Sequence, residues 1–206
     1  LYTGFMLFLT FGAVMVPGII VSFLIVPYRV RIMHWCFVRW FSLVLKFGVF
    51  ARIKLIDRRP PGTKLTGLHI TNHRSLVDIP LIHSFYAMHP LMKKELMRVP
   101  LFGLACRLAD SIEVDRKKSE SRKNALEKCQ AFLRMGKPLL YYAEGTRSKS
   151  KQPKEYGQIH KSLLFYAYDE GIPVTPMAHR GTEAPLSNGE VKWNQPLGLI
   201  IQPVMW

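Results

Sequence analysis

Hydrophobic positions divide the chain into a long apolar start and a longer remainder in which apolar and polar positions alternate. Residues 1–28 carry no charged side chain, and a run of that length can cross a hydrocarbon core of about 30 Å as a helix. Residues 32–50 are also largely apolar, with a polar and tryptophan stripe at helical spacing that comprises Arg31, Trp35, Arg39, Ser42 and Lys46. Such a stripe favours a helix at a membrane interface with its cations toward lipid phosphates. We therefore predict a membrane anchor and an interfacial helix over residues 1–50.

Alternatives to this anchor are a signal peptide and a core helix. A signal peptide begins with a basic region and ends in a small-residue cleavage site, and neither is visible. A core helix rarely runs so long without a polar position, although residues 32–50 could pack as one. Pro17-Gly18 leaves open a pair of shorter helices that dip into one leaflet. Arg29 and Arg31 follow the first apolar run, which places this end on the cytoplasmic side.

Residues 51–206 show short strand-like runs that alternate with helical patterns, which predicts one α/β domain with a mixed central sheet flanked by helices. Strands are expected over residues 50–56, 67–71, 91–93, 111–114, 138–143, 174–178 and 197–204. Helices are expected over residues 75–87, over residues 103–109 with a loop as the alternative, and over residues 119–135 and 158–170. Ser119 is the expected N-cap of the third of these helices, and Gly136 follows its end.

The charge balance limits the classes of partner that we expect the protein to bind. The net charge of +15, from 29 Lys and Arg against 14 Asp and Glu, attracts polyanions. The chain shows no zinc-finger spacing, RNA-binding aromatic signature or helix-turn-helix pattern, so nucleic acid is not the expected partner. The expected partner is an anionic phospholipid membrane, since each basic residue near the membrane surface contributes about 1 kcal/mol to binding. Cys36, Cys106 and Cys129 lack Cys-x-x-Cys spacing and indicate reduced packing residues, which favours an inner-membrane protein whose domain faces the cytoplasm.

Candidate chemistry is concentrated in residues 72–78, which read Asn-His-Arg-Ser-Leu-Val-Asp after an apolar run. His73 can take a proton near neutral pH, and Asp78 can fix its tautomer and stabilise the imidazolium. A substrate that brings its own hydroxyl then needs no nucleophilic serine, and the chain has no Gly-x-Ser-x-Gly motif. We predict His73 as a general base and Asp78 as its orienting partner.

Four further blocks follow this motif in order. They are Lys93-Lys94-Glu95-Leu96 with Pro100-Leu101-Phe102-Gly103, then residues 112–116, Glu144-Gly145-Thr146-Arg147, and residues 172–176. The ordered set resembles the glycerolipid acyltransferase family over residues 65–180. The resemblance implies transfer of an acyl group from acyl-CoA or acyl carrier protein to the hydroxyl of a lysophospholipid, with 1-acylglycerol-3-phosphate as the expected acceptor. It implies no metal and no bound cofactor, and it makes acyl carrier protein a candidate partner.

The resemblance also assigns binding roles. Residues expected to bind the glycerol phosphate are Arg116, Glu144, Gly145, Thr146 and Arg147, with Gly103 shaping the pocket. A carboxylate repels phosphate, so Glu144 is expected to pair with an arginine or a glycerol hydroxyl. Lys93 and Lys161 stand where the family often has head-group lysines, but ordinary surface cations are an equal alternative. No role is assigned to His69, His83, His160 or His179.

Departures from the family pattern widen the choice of acceptor. Tyr142-Ala143 replaces the usual Phe-Pro, and Asp110 and Ser162 replace usual glycines. Relatives acylate lysophosphatidylethanolamine, lyso-ornithine lipid or lipid A precursors, and these acceptors stay open. Other hypotheses are a lysophospholipase or thioesterase with water at the same base, a non-catalytic anionic-lipid-binding module, and a nucleic-acid binder. Members also continue past the point of Trp206, which implies a closing helix there.

Overall fold

A computed structural model describes residues 2–147, 159–187 and 190–205. The first apolar run is a single helix, α1 (Tyr2–Leu24), that continues through Pro17. A 3₁₀ turn (Val26–Tyr28) leads into α2 (Arg29–Leu43), which is extended by a π-helical turn (Val44–Gly48). Thr3 Oγ1 donates to the Gly48 carbonyl oxygen at 2.9 Å, so α1 and α2 form an antiparallel hairpin. By length and composition α1 could span a membrane, although the core helices of some soluble proteins are equally long and apolar.

The central sheet has seven strands in the order β1-β9-β6-β2-β5-β3-β4. Their bounds are β1 (Arg52–Asp57), β2 (Leu68–Thr71), β3 (His89–Lys93), β4 (Ile112–Val114), β5 (Leu139–Tyr142), β6 (Val174–Arg180) and β9 (Pro196–Ile201). A separate ribbon pairs β7 (Leu186–Ser187) with β8 (Glu190–Val191). Only the β6–β9 pair of the large sheet is antiparallel, which confirms the predicted mixed α/β architecture. Because β2, β3, β4, β5 and β6 run parallel, their carboxyl ends meet at one edge.

Helices cover both faces of this sheet. They are α3 (Asp78–His83), α4 (Lys94–Met97), α5 (Phe102–Leu108), α6 (Ser119–Arg134) and α7 (Ser162–Asp169). Leu81 of α3 packs with Leu140 on one face, while Cys129 of α6 and Leu163 of α7 pack with Leu139 on the other. The α1–α2 hairpin packs on α3 and α5, so it lies on the α3 side. All three cysteines are free and buried, as packing residues should be.

Two helices begin later than predicted, and a third has a different N-cap. The helix expected over residues 75–87 is only α3, because the Asp78 carboxylate binds the N–H groups of Arg74 and Ser75 and holds the preceding turn outside the helix. The N-cap of α6 is Lys118, and Ser119 makes no capping bond. The last helix was expected from residue 158, and that residue lies outside the described residues. In the structure this helix is α7, which begins at Ser162.

Candidate active site

His73 and Asp78 lie between the carboxyl end of β2 and the first turn of α3. His73 Nδ1 donates to Asp78 Oδ2 at 2.7 Å, and the same oxygen accepts the N–H groups of Arg74 at 2.6 Å and Ser75 at 2.9 Å. The Asp78 side chain is fully buried. Burial raises the pKa of Asp78, but the hydrogen bond from His73 and the neighbouring donors outweigh it, and the net pKa is below the usual value. Asp78 is therefore held as a carboxylate.

The hydrogen bond to Asp78 also sets the tautomer of His73. Since Nδ1 donates its proton, Nε2 of the neutral ring carries a lone pair. The side chain is 13% exposed and lines a cavity of about 810 Å³. The ring of Tyr142 packs against the His73 ring with centroids 4.2 Å apart, while burial raises the pKa of Tyr142 well above 10 and keeps its hydroxyl protonated. The arrangement offers a basic nitrogen to a ligand in the cavity.

Several predicted binding residues line this cavity together with His73. Lys93 ends β3, Arg116 follows β4, and Thr146 and Arg147 follow β5. Their strands are parallel, so each carboxyl end brings a side chain to the same edge. Arg74 and Glu95, which the sequence did not single out, line the cavity too. The result is a cationic cavity whose described lining includes one carboxylate, that of Glu95.

Glu144 and Gly145 contribute through the backbone. Glu144 is buried, and its Oε1 accepts the N–H of His73 at 3.3 Å, so the carboxylate ties the segment after β5 to the one after β2. Gly145 has φ of +63°, and a Cβ there would lie 3.0 Å from the ring of His160. Both residues fix the shape of the edge that carries His73.

Gly103 and Lys161 lie elsewhere. Gly103 is buried in α5, where a Cβ would collide with the Met97 carbonyl of α4. Lys161 is the exposed N-cap residue of α7. Neither is among the described residues that line the His73 cavity.

His179 is a contact of the site that sequence reasoning missed. It lies on β6, its side chain is fully buried, and its Nδ1 is 3.4 Å from Asp78 Oδ1. Its Nε2 donates to the Asn72 carbonyl at 2.7 Å, and the Asn72 side chain bonds both the N–H and the carbonyl of residue 179 at 3.1 Å. Burial lowers the pKa of His179, which favours a neutral ring. The only sequence signal was that the last block runs directly into β6.

The mixed sheet and the His73–Asp78 pair at its carboxyl edge define an α/β protein with an enzyme-like, cation-lined site. The match to a family model agrees with this class. The model described as Acyltransferase matches residues 52–180, and the chain belongs to the acyltransferase family.

Several known proteins are similar to this chain in sequence or in fold. A 1-acyl-sn-glycerol-3-phosphate acyltransferase of Pseudomonas aeruginosa is 26% identical over 188 residues, which cover 88% of this chain and 70% of that protein. A chloroplastic enzyme of the same name from Arabidopsis thaliana is 25% identical over 181 residues, or 81% of this chain, which spans 50% of that relative's length. The crystal structure of the Thermotoga maritima 1-acyl-sn-glycerophosphate acyltransferase matches 99% of this chain and 82% of that one, with a TM-score of 0.73 and 23% identity. The likeness to that structure shows the fold.

Proposed function

We propose that the chain transfers a fatty acyl group from an acyl thioester to the free hydroxyl of 1-acylglycerol-3-phosphate, giving phosphatidic acid. The observation that carries this proposal is a His73 ring with its Nε2 lone pair directed away from Asp78, in a cavity whose described lining includes the cations Lys93, Arg116 and Arg147. The names of the bacterial and chloroplast relatives support the same acceptor.

The reaction needs one base and no covalent enzyme intermediate. His73 Nε2 takes the proton of the acceptor hydroxyl as its oxygen attacks the thioester carbonyl carbon, and the new C–O bond forms. The tetrahedral intermediate collapses, the C–S bond breaks, and the thiolate takes the proton back from His73. Asp78 stabilises the imidazolium between these steps.

Phosphate recognition falls to the cations around the cavity. Arginine can bind a phosphate through two parallel N–H···O bonds, whereas lysine acts as a point charge. Arg116 and Arg147 therefore suit the glycerol phosphate, with Lys93 and the Thr146 hydroxyl as further donors. Glu144 is withdrawn from the phosphate because it accepts the N–H of His73.

Glu95 supports a second class of acceptor. It is a carboxylate in the wall of the same cavity, and it can pair with a cationic head group. Lysophosphatidylethanolamine and lyso-ornithine lipid both carry an ammonium group, so they are the alternative acceptors.

The α1–α2 hairpin supports association with one leaflet of an anionic membrane. The start of α1 and the end of the α1–α2 hairpin both lie at the domain. If α1 spanned the membrane, α2 and its arginines would therefore have to cross the membrane in the opposite direction. Arg39 lies over the exposed Trp35 ring at 5.3 Å, an arrangement suited to the lipid interface. We place the protein at the inner membrane with residues 51–206 as the acyltransferase domain on the cytoplasmic side.

Acyl transfer from labelled palmitoyl-CoA or palmitoyl carrier protein in detergent tests the reaction, with the three candidate acceptors in parallel. His73→Ala should lower kcat by about 10²–10⁴-fold, because the base is lost while the cations remain. Thermal unfolding of both proteins controls for folding. Free fatty acid in place of acylated lipid would identify a hydrolase, and an active, folded His73→Ala protein would contradict the proposed base.

A further inference from the structure

The sheet opens beside the active site. β5 pairs with β3 only at His89–Leu139 and Pro90–Leu140. Beyond that point Leu91–Lys93 pair with β4, and Tyr141–Tyr142 pair with β2. The ladder between the two halves of the sheet therefore ends before the carboxyl edge is reached.

A second cavity of about 660 Å³ adjoins this opening, lined by α6 and α7. We call it the α6 chamber, and the cavity that contains His73 the His73 chamber. Four residues line both chambers, namely Leu91, Arg116, Tyr142 and Thr146. Leu91 and Tyr142 stand on opposite sides of the gap in the ladder. The two chambers thus meet where the strands part, beside His73.

The walls of the two chambers differ in charge. The α6 chamber carries Arg116, Arg122 and Lys123, and its described lining includes no Asp or Glu, whereas the His73 chamber includes Glu95. Arg122 Nη1 donates to the Arg116 carbonyl at 2.7 Å, which braces the turn that presents Arg116. The deeper wall is apolar, with Val114, Leu126 and Leu163. A ligand with an anionic group and a long, weakly polar tail fits this wall.

The two chambers also face different surroundings. The α1–α2 hairpin packs on α3 and α5, on the side of the sheet that holds Leu81 and Leu140. The α6 chamber is built from α6 and α7, which cover the other face. An acyltransferase must bring two substrates to one base, and only the acceptor has to come from the lipid side.

We infer that the α6 chamber binds the 4′-phosphopantetheine arm of the acyl donor, with Lys123 and Arg122 at its phosphate. This inference rests on the proposed acyl transfer. The arm lies along the apolar wall, and its thioester passes between Leu91 and Tyr142 to reach His73. Acyl-CoA and acyl carrier protein share this arm, so both donors use the chamber.

A charge reversal on α6 tests the chamber. Lys123→Glu is compared with Lys128→Glu, because both lysines are exposed on the same helix and only Lys123 is among the described lining residues. In the full chain in detergent, Lys123→Glu should raise the KM of palmitoyl-CoA and of palmitoyl carrier protein about five- to tenfold at low salt, and about 0.5 M salt should reduce the effect. The KM of the acceptor should stay within about twofold, and Lys128→Glu should match the parent.

The inference would be overturned by an unchanged donor KM in Lys123→Glu, by an equal rise in Lys128→Glu, or by a rise in the acceptor KM alone. A rise confined to palmitoyl-CoA would also overturn it, since it would assign the chamber to the nucleotide phosphates and not to the shared arm.

Calorimetric binding of free CoA and of holo carrier protein separates this inference from the proposed function. Binding that Lys123→Glu weakens by the same factor, in a protein that does not acylate 1-acylglycerol-3-phosphate, would leave the chamber standing and reject the acceptor. Turnover of that acceptor without any Lys123 effect would reject the chamber and leave the function standing.

Discussion

At the residue scale, Asp78 is the centre of the site. One of its carboxylate oxygens holds His73 and two backbone N–H groups, and the other faces His179 at 3.4 Å. Thr182 Oγ1 lies 3.3 Å from His179 Nδ1, and its hydroxyl is one of the groups that lower the pKa of Asp78. The orientation of His73 thus depends on the segment after β2, on α3 and on His179 of β6, the strand that pairs with β2.

Asp78→Asn should lower kcat by about 10²–10⁴-fold with a nearly unchanged acceptor KM. The amide fills the same space but carries no charge to stabilise the His73 imidazolium and can favour the wrong tautomer. Steady-state kinetics beside His73→Ala measure the change. A loss confined to KM would show that Asp78 serves binding and not the base.

His179→Ala should lower kcat by about 10²-fold, because loss of the ring frees the Asn72 carbonyl and leaves space beside Asp78 that lets His73 shift. His179→Gln should recover much of this loss, since its amide can still donate to Asn72. The split between kcat and KM, with melting temperatures alongside, tests a positioning role. Equal losses in both variants that track a lowered melting temperature would instead make His179 a purely structural residue.

At the element scale, buried histidines join the strands and helices of the core. His69 lies on β2, His83 on α3 and His89 on β3, and burial lowers the pKa of each to about 4. His83 Nδ1 donates to the Ile79 carbonyl at 3.1 Å, while His69 and His89 contact backbone carbonyls at 3.3 Å. These rings are neutral parts of the packing.

Acidification should therefore destabilise the fold. The unfolded chain protonates these histidines near pH 6.5, whereas the folded pKa is about 4, so the unfolded state binds more protons between the two values. The free energy of unfolding should decrease as the pH is lowered from about 6.5 to about 4, by up to about 1.4 kcal/mol per pH unit for each histidine. Urea unfolding in detergent at about pH 7 and about pH 5 measures this.

A matched pair of variants checks the source of that slope. His83→Leu removes one buried ring and should flatten the dependence by about one histidine's share. Met88→Leu changes another buried core side chain without removing a titrating group and should leave the pH dependence unchanged. A parent protein equally stable at both pH values would contradict the prediction.

At the scale of the whole molecule, the helical hairpin gives the domain an apolar surface. Phe8 is 78% exposed and Leu24 is 77% exposed, and further exposed apolar side chains lie on α1 and the turn after it. A continuous apolar surface of this kind marks an interaction with a membrane or a partner. The net charge of +15 favours anionic lipid.

Leu24→Glu should weaken binding to anionic vesicles about tenfold or more, because a charge at the hairpin tip is costly to bury in lipid. Met135→Glu is the control, since Met135 is 67% exposed beyond the end of α6 and away from the hairpin. Co-sedimentation with vesicles rich in phosphatidylserine measures both. Equal weakening by the two variants would argue that overall charge, and not insertion of the tip, governs binding.

The sequence by itself determined most of the elements and the pairing of His73 with Asp78. Apolar period and turn residues are local properties, so the helices and strands fell near their predicted positions. His73 and Asp78 are close along the chain, and the turn before α3 is tied by the same carboxylate. Arg116 and Arg147 could be placed at one edge because each follows a strand, whereas Lys93, the last residue of β3, was expected there from the family resemblance.

Only the tertiary structure decided which distant groups meet. His179 reaches Asp78 because β6 pairs with β2, a contact that no local spacing encodes. The α6 chamber exists because the ladder between β3 and β5 stops short, and Gly103 is needed where α5 crosses α4. The hairpin folds back because apolar side chains of α1 and α2 pack in one buried cluster with α5, and the Thr3–Gly48 hydrogen bond joins its open end. Hydrophobic patterning indicates which faces of the helices and strands are buried. The packing of the whole chain determines which other element each of these faces contacts.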